Sequence, residues 1–87
     1  MFYVYILLCN DQSYYTGHTE DLEKRINEHE NGRYAGYTST RLPIKLIFHE
    51  VFYSRIEALE AEKKIKTWSR VKKETLIQHG WGGFLVK

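Results

Sequence analysis

The chain is 87 residues long, 43% hydrophobic, 15% aromatic and 28% charged, with one proline and six glycines. That length supports one hydrophobic core and excludes a two-domain enzyme, so a single domain over residues 1–87 is expected; the composition excludes wholesale disorder and a low-complexity linker. The formal charge of +2 is segregated, because residues 1–32 carry six acids against two bases while residues 33–87 carry eleven bases against five acids. The lone Cys9 cannot make an internal disulfide, and the apolar stretch at residues 4–9 falls far short of a membrane span or the core of an export signal. A cytoplasmic chain without a membrane segment is expected.

The opening run Phe2-Tyr3-Val4-Tyr5-Ile6-Leu7-Leu8 is aromatic and β-branched, too short for a capped helix, and precedes the turn residues Asn10-Asp11-Gln12-Ser13. Residues 14–19, Tyr-Tyr-Thr-Gly-His-Thr, then read as the returning arm of a β-hairpin. Gly17 stands out inside that arm, since a glycine weakens a strand and marks a bulge or a close approach of backbone or ligand. The helical spacing of Leu22, Ile26 and His29 places a first helix over residues 20–31, with Thr19 as its N-cap. Residues 33–42 carry Arg33, Arg41, two tyrosines and several hydroxyls without periodicity, and read as an exposed loop. Residues 44–53 return to β-branched and aromatic composition, which predicts a third strand. Ser54 and Glu57 form a capping box for a second helix that runs to about Trp68, and Ser69 caps a third over residues 70–79, closed by Gly80. The order ββαβαα describes an α+β domain, a small sheet covered by helices, with no internal repeat.

His-Glu-x-x-His, phosphate-binding glycine loops, Gly-x-Ser-x-Gly and cysteine clusters are all absent, which argues against zinc and nucleotide enzymes. Three features remain. Arg25 and His29, four residues apart, share the helix face of Leu22 and Ile26: either an arginine at the core edge beside a satisfied histidine, or a guanidinium fork held for a phosphate. Glu62 sits on the apolar side of the second helix between Ala58 and Ile65, where a carboxylate is costly unless paired. It is either half of an internal ion pair, with Arg25 or a lysine, or a ligand for a hard cation such as magnesium. No second acid is similarly placed, which argues against a two-metal site. Tyrosines 3, 5, 14 and 15 are ordinary sheet residues taken alone, but Tyr5 and Tyr15 fall on neighbouring strands, where a phenol can orient a metal-bound water. Finally, Lys63, Lys64, Lys66, Arg70, Lys72 and Lys73 follow one another without an intervening acid, the pattern of a solvated helix face or of a surface that meets a polyanion.

At these residues the chain resembles the GIY-YIG nuclease superfamily, most closely its small stand-alone bacterial members, over nearly its whole length. The first motif stands here as Tyr3-Val4-Tyr5, with tyrosine at the usual glycine, and the second as Tyr15-Thr16-Gly17, with threonine at the usual isoleucine or valine. Residues 21–29 resemble the family's arginine-bearing helix, and residues 57–66 the helix with its metal-binding glutamate. The resemblance implies a three-stranded antiparallel sheet flanked by helices, and hydrolysis of nucleic-acid phosphodiesters, DNA above all, with Mg²⁺ or Mn²⁺. By position it implies that Tyr5 assists water activation, Tyr15 supports the nucleophile or scissile phosphate, Arg25 stabilises developing charge and Glu62 holds the metal. His18 stands where many relatives carry lysine, and His29 is placed to share its proton-handling task.

Only residues 63–73 and the loop with Arg33 and Arg41 are available to hold a nucleic-acid backbone, so contacts that carry little sequence information are expected, improved by a second copy or another partner. DNA repair follows only as fold-level analogy. Two readings from other classes stand beside the nuclease. One is a nucleic-acid-binding module that keeps the fold without catalysis; the other is an interaction subunit docking through Trp81, Phe84, Leu85 and Val86, residues that would otherwise fold back over the sheet.

Overall fold

The computed structural model describes residues 1–34 and 36–85. Strands β1 (Phe2–Leu8), β2 (Tyr14–Thr19) and β3 (Lys45–Phe52) form one antiparallel sheet in the order β2-β1-β3. Helices α1 (Leu22–Glu30), α2 (Arg55–Thr67) and α3 (Arg70–Leu85) flank it, with one 3₁₀ turn at Thr38–Thr40. This is the expected ββαβαα fold. No helix among the described residues is long and apolar enough to cross a membrane.

The hairpin turns where the sequence indicated. Cys9 N–H donates to Ser13 O and Gln12 N–H to Cys9 O, both at 2.9 Å, with Gln12 in the left-handed region at φ 70°. In the hairpin register Tyr5 faces Gly17 and Leu7 faces Tyr15; on the other side of β1, Tyr5 faces His49 and Ile6 faces Phe48. The β1–β3 register slips after Ile6, leaving Ile47 as an extra residue in β3.

Because strand side chains alternate, β1 feeds two cores. Val4 and Ile6 pack with Phe48, Ala58, Ala61, Ile65 and Leu76 beneath α2 and α3. Tyr5, Leu7 and Cys9 pack with Ile44 on the opposite face, against Leu22 and Ile26 of α1. The sheet is therefore covered on both sides, and its β2 edge lies between α1 and α2.

Two boundaries differ from expectation. Thr19 does not cap α1; Asp21 does, accepting from Lys24 N–H at 3.1 Å, while the Thr19 hydroxyl bonds the Asp21 backbone and shortens the helix start to Leu22. Asp outcompetes Thr because its carboxylate also meets the positive end of the helix dipole. Gly80 does break α3 (φ 76°, ψ 170°), but the chain resumes a helical turn beyond it instead of ending there. Trp81 is half-buried, edge-on to Phe52 at 5.7 Å and stacked on Trp68 at 6.3 Å, so it covers the sheet rather than standing bare for a partner. The Phe84 and Leu85 side chains and Val86 lie outside the described residues. The capping box of Ser54 and Glu57 and the Ser69 cap on Lys72 N–H at 3.2 Å form as expected.

Candidate active site at the edge of the sheet

β2 carries the site because it is an edge strand with a glycine at its centre. A side chain at position 17 would place its Cβ 2.6 Å from Tyr5 Oη, 2.7 Å from Tyr5 Cζ and 3.2 Å from Tyr15 Cε2, so the Tyr5 ring occupies the space a larger residue would need. This is the close approach that a mid-strand glycine signals.

Tyr5 is fully buried and its hydroxyl lies 2.9 Å from His29 Nε2; the other ring nitrogen, Nδ1, lies 2.6 Å from Thr38 Oγ1. The imidazole is thus held at both ends, one nitrogen donating and one accepting. Burial pushes His29 down to about 4, helped by the nearby Arg25 charge and partly opposed by Glu28, so it is neutral at pH 7. Burial likewise pushes the Tyr5 phenol up to about 12, although Arg25 pulls the other way. Tyr15 is half-buried, its ring 5.3 Å from His29 and 6.4 Å from Tyr5, and burial raises its phenol as well.

Arg25 rises from α1 and reaches the same edge. Its Nη1–H donates to the His18 carbonyl at 3.3 Å, its Nε–H to Glu28 at 3.2 Å, and its guanidinium lies 4.6 Å from the Tyr34 ring centroid. From the opposite face, α2 brings Glu62, only 9% exposed, against the His18 side chain: Oε1 is 2.6 Å from His18 Nδ1, and Oε2 is 2.8 Å from Lys66 Nζ. His18 is the hinge of the arrangement, since its backbone holds the arginine and its ring holds the carboxylate. A groove of about 110 Å³ beside it is lined by Phe2, His18, Thr19, Glu20, Arg25 and Arg55. A larger concavity, about 470 Å³, runs along α1 past Asp21, Lys24, Asn27 and Arg33, away from the tyrosines and Glu62.

The predicted residues thus meet in two linked groups: Tyr5, Tyr15, His29 and Arg25 on one face, and His18 and Glu62 around the edge. The carboxylate is paired, as its burial requires, but with His18 and Lys66 and not with Arg25. Among the described residues no group of three or more metal-ligating side chains exists. Glu62 is the carboxylate that would have to serve a magnesium ion, which commonly takes one or two carboxylates and keeps water and phosphate oxygens for the rest of its shell; both Glu62 oxygens are engaged by His18 and Lys66.

The basic run is divided between two helices. Lys63 and Lys64 are exposed on α2, whereas Lys66 is turned to Glu62. Arg70 donates to Gln12 O at 2.6 Å, pairs with Glu74 and covers the Tyr14 ring; Lys72 lies 4.4 Å from the Trp68 ring centroid. Lys73 is half-buried, and that burial, with Arg70 nearby, lowers its pKa. Arg33 is exposed, and Arg41 is tied to Asp11 at 2.9 Å.

Sequence reasoning missed Thr38 and Arg55. Thr38 lies in a stretch without periodicity, and only the chain reversal after α1 sets it against His29. Arg55 opens α2, a position that reads as part of a helix start and gives no hint of the groove.

The GIY-YIG catalytic domain description matches residues 1–75. The UPF0213 protein of Staphylococcus saprophyticus is 50% identical over 78 residues, covering 90% of this chain and 95% of that protein. Two solution NMR structures are similar: the UPF0213 protein BH0048 from Bacillus halodurans, with 42% identity and TM-score 0.60 over 100% of this chain and 96% of that one, and EF2693 from E. faecalis, with 41% identity and TM-score 0.61 over 87% and 81%. With both tyrosine strands, the arginine helix and the glutamate helix inside the matched span, the chain belongs to the GIY-YIG nuclease family.

Proposed function

We propose that the protein hydrolyses phosphodiester bonds of DNA with Mg²⁺, with selectivity set by DNA shape more than by sequence. The observation that supports this most is the joint tether at His18: Arg25 from α1 and Glu62 from α2, on opposite faces of the sheet, are drawn to one strand residue. A phosphate at that edge meets a guanidinium fork on one side and a metal-holding carboxylate on the other. When bound, the ion supplies Lewis-acid polarisation of a phosphate oxygen and a water of lowered pKa.

The chain's own residues supply position and charge. Arg25, steadied by Glu28, the His18 carbonyl and Tyr34, grips the phosphate and stabilises charge in the transition state. With Tyr5 near 12 and His29 near 4, both are neutral at pH 7. Tyr5 is therefore an oriented neutral phenol held by His29, and not a standing phenolate. Tyr15, less buried than Tyr5, flanks the phosphate. Arg55, Lys63 and Lys64 are exposed to hold the DNA backbone through salt-sensitive contacts.

A second reading, a binding module without catalysis, is favoured by one feature: both Glu62 oxygens already face cationic or hydrogen-bonding partners. Nicking of supercoiled plasmid separates the two, with native protein, Arg25→Ala and Glu62→Gln, each in Mg²⁺ and in EDTA. The nuclease predicts Mg²⁺-dependent nicking that each variant lowers by roughly 10²- to 10³-fold. Equal nicking by all three, or retardation of DNA in a gel without any nicking, defeats it.

A further inference from the structure

We propose that Tyr34, Tyr37 and Arg41 build a stacking platform for an unpaired nucleobase beside the phosphate site, so that the preferred DNA carries a flap, bulge or single-stranded arm at the cut. This rests on the nuclease reading and names its substrate class.

The platform is a chain of ring contacts ending at the phosphate-gripping arginine. The Arg41 guanidinium lies 3.7 Å from the centroid of the Tyr37 ring. Tyr37 is inclined only 27° to Tyr15, at 6.1 Å; Tyr15 meets Tyr34 at 6.5 Å, and Arg25 lies over Tyr34. The guanidinium is pinned, with Nε–H donating to Asp11 at 2.9 Å and Nη1–H to the Tyr37 carbonyl at 2.8 Å and the Thr40 hydroxyl at 3.3 Å. Asn10 N–H donates to Arg41 O at 2.9 Å, tying the loop to the hairpin turn, and Thr38 anchors it to His29.

Tyr37 leaves 40% of its surface exposed and belongs to neither apolar cluster, although Tyr15 and Arg41 hold its position. What remains outside is a stack of cation and ring. That surface suits the π-face of a base, which stacks on aromatic rings and on guanidinium planes alike. Bases inside a duplex already have both faces covered, so only an unpaired one adds a layer. Because every base has such a face, the preference is for structure and not for sequence.

The test is fluorescence anisotropy in EDTA, where no cutting intervenes, with a labelled duplex and a flapped duplex of equal phosphate number. The native protein is expected to bind the flapped DNA roughly tenfold more tightly, the scale of one stacked base. Tyr37→Ala should lose that preference while keeping its duplex affinity; Tyr37→Phe, which retains the ring, should keep it. Arg41→Lys, which retains charge but not the plane, should lose most of it. Thermal melting confirms that each variant is folded. No preference in the native protein, equal weakening of both DNAs by Tyr37→Ala, or no binding to either DNA overturns the proposal. Plasmid nicking without flap preference defeats the platform alone, and flap preference without nicking defeats the catalytic reading alone.

Discussion

Beneath α2 and α3 the sheet is sealed by aliphatic contact: Val4, Ile6, Ala58, Ile65 and Leu76 are all wholly buried, with no polar atom among their side chains. Beneath α1, Tyr5 and His29 are just as inaccessible, but a hydrogen-bonded chain of phenol, imidazole and Thr38 hydroxyl runs through them. One face owes its stability to the removal of apolar area from water. The other must satisfy each polar atom it buries, since an unpaired one is expensive there. The division also places the candidate site. The apolar face fixes α2, and with it the position of Glu62; the polar face holds the tyrosines and histidine in one orientation at the β2 edge.

The largest expected difference comes from truncating the apolar face. Ile65→Ala removes a wholly buried side chain surrounded by Val4, Ile6, Phe48 and Leu76, and should lower stability by roughly 2 to 5 kcal/mol, read as the shift of a urea midpoint. A shift under about 1 kcal/mol would mean that the face relaxes into the gap and is not close-packed.

The polar face should respond to pH instead. His29 falls from an ordinary 6.5 to about 4 because burial disfavours its charge. Between those values the unfolded chain binds a proton that the folded one does not, so the stability is fully present above pH 6.5 and is lost as the pH falls towards 4. The full loss is roughly 3 kcal/mol. NMR titration of the His29 ring should give a midpoint near 4, with the urea midpoint dropping through the same window, and His29→Gln should flatten that drop. A midpoint near 6.5 would show that the imidazole is not sealed in as the geometry indicates.

The contrast between the faces also explains what the sequence disclosed. The strands, the capping box of Ser54 and Glu57 and the helical stripe of Ala58, Ala61 and Ile65 are local patterns, and each formed where its pattern lay. Gly17 was legible because a glycine amid strand formers is an anomaly, and Glu62 because a carboxylate in an apolar stripe is one. A lysine was among the expected partners of Glu62, but which lysine, and the part of His18, were not legible. Lys66 is only one helical turn away, yet it is one of six basic residues that look alike in a run, and His18 lies 44 positions back. Thr38 and the exposed face of Tyr37 belong to a loop whose course is fixed by tertiary contact and by no period. The Asp21 cap was misplaced by two residues because Thr19, Glu20 and Asp21 in succession offer two competent caps.

The smallest expected effect has the opposite sign. Thr16 points into the apolar face at the position where the motif usually carries isoleucine or valine, paired across the hairpin with Ile6 and only 4% exposed. Its Oγ1 is the buried side-chain polar atom without a hydrogen-bond partner among the described residues. Thr16→Val keeps the shape and the β-branching and deletes the orphan hydroxyl, so it should raise stability by roughly 1 kcal/mol, read as a higher urea midpoint with unchanged slope. Plasmid nicking should stay unchanged, because the hydroxyl lies on the face away from Tyr5 and His29. A loss of stability would show that the hydroxyl has found a partner, and that the apolar face is less dry than its neighbours imply.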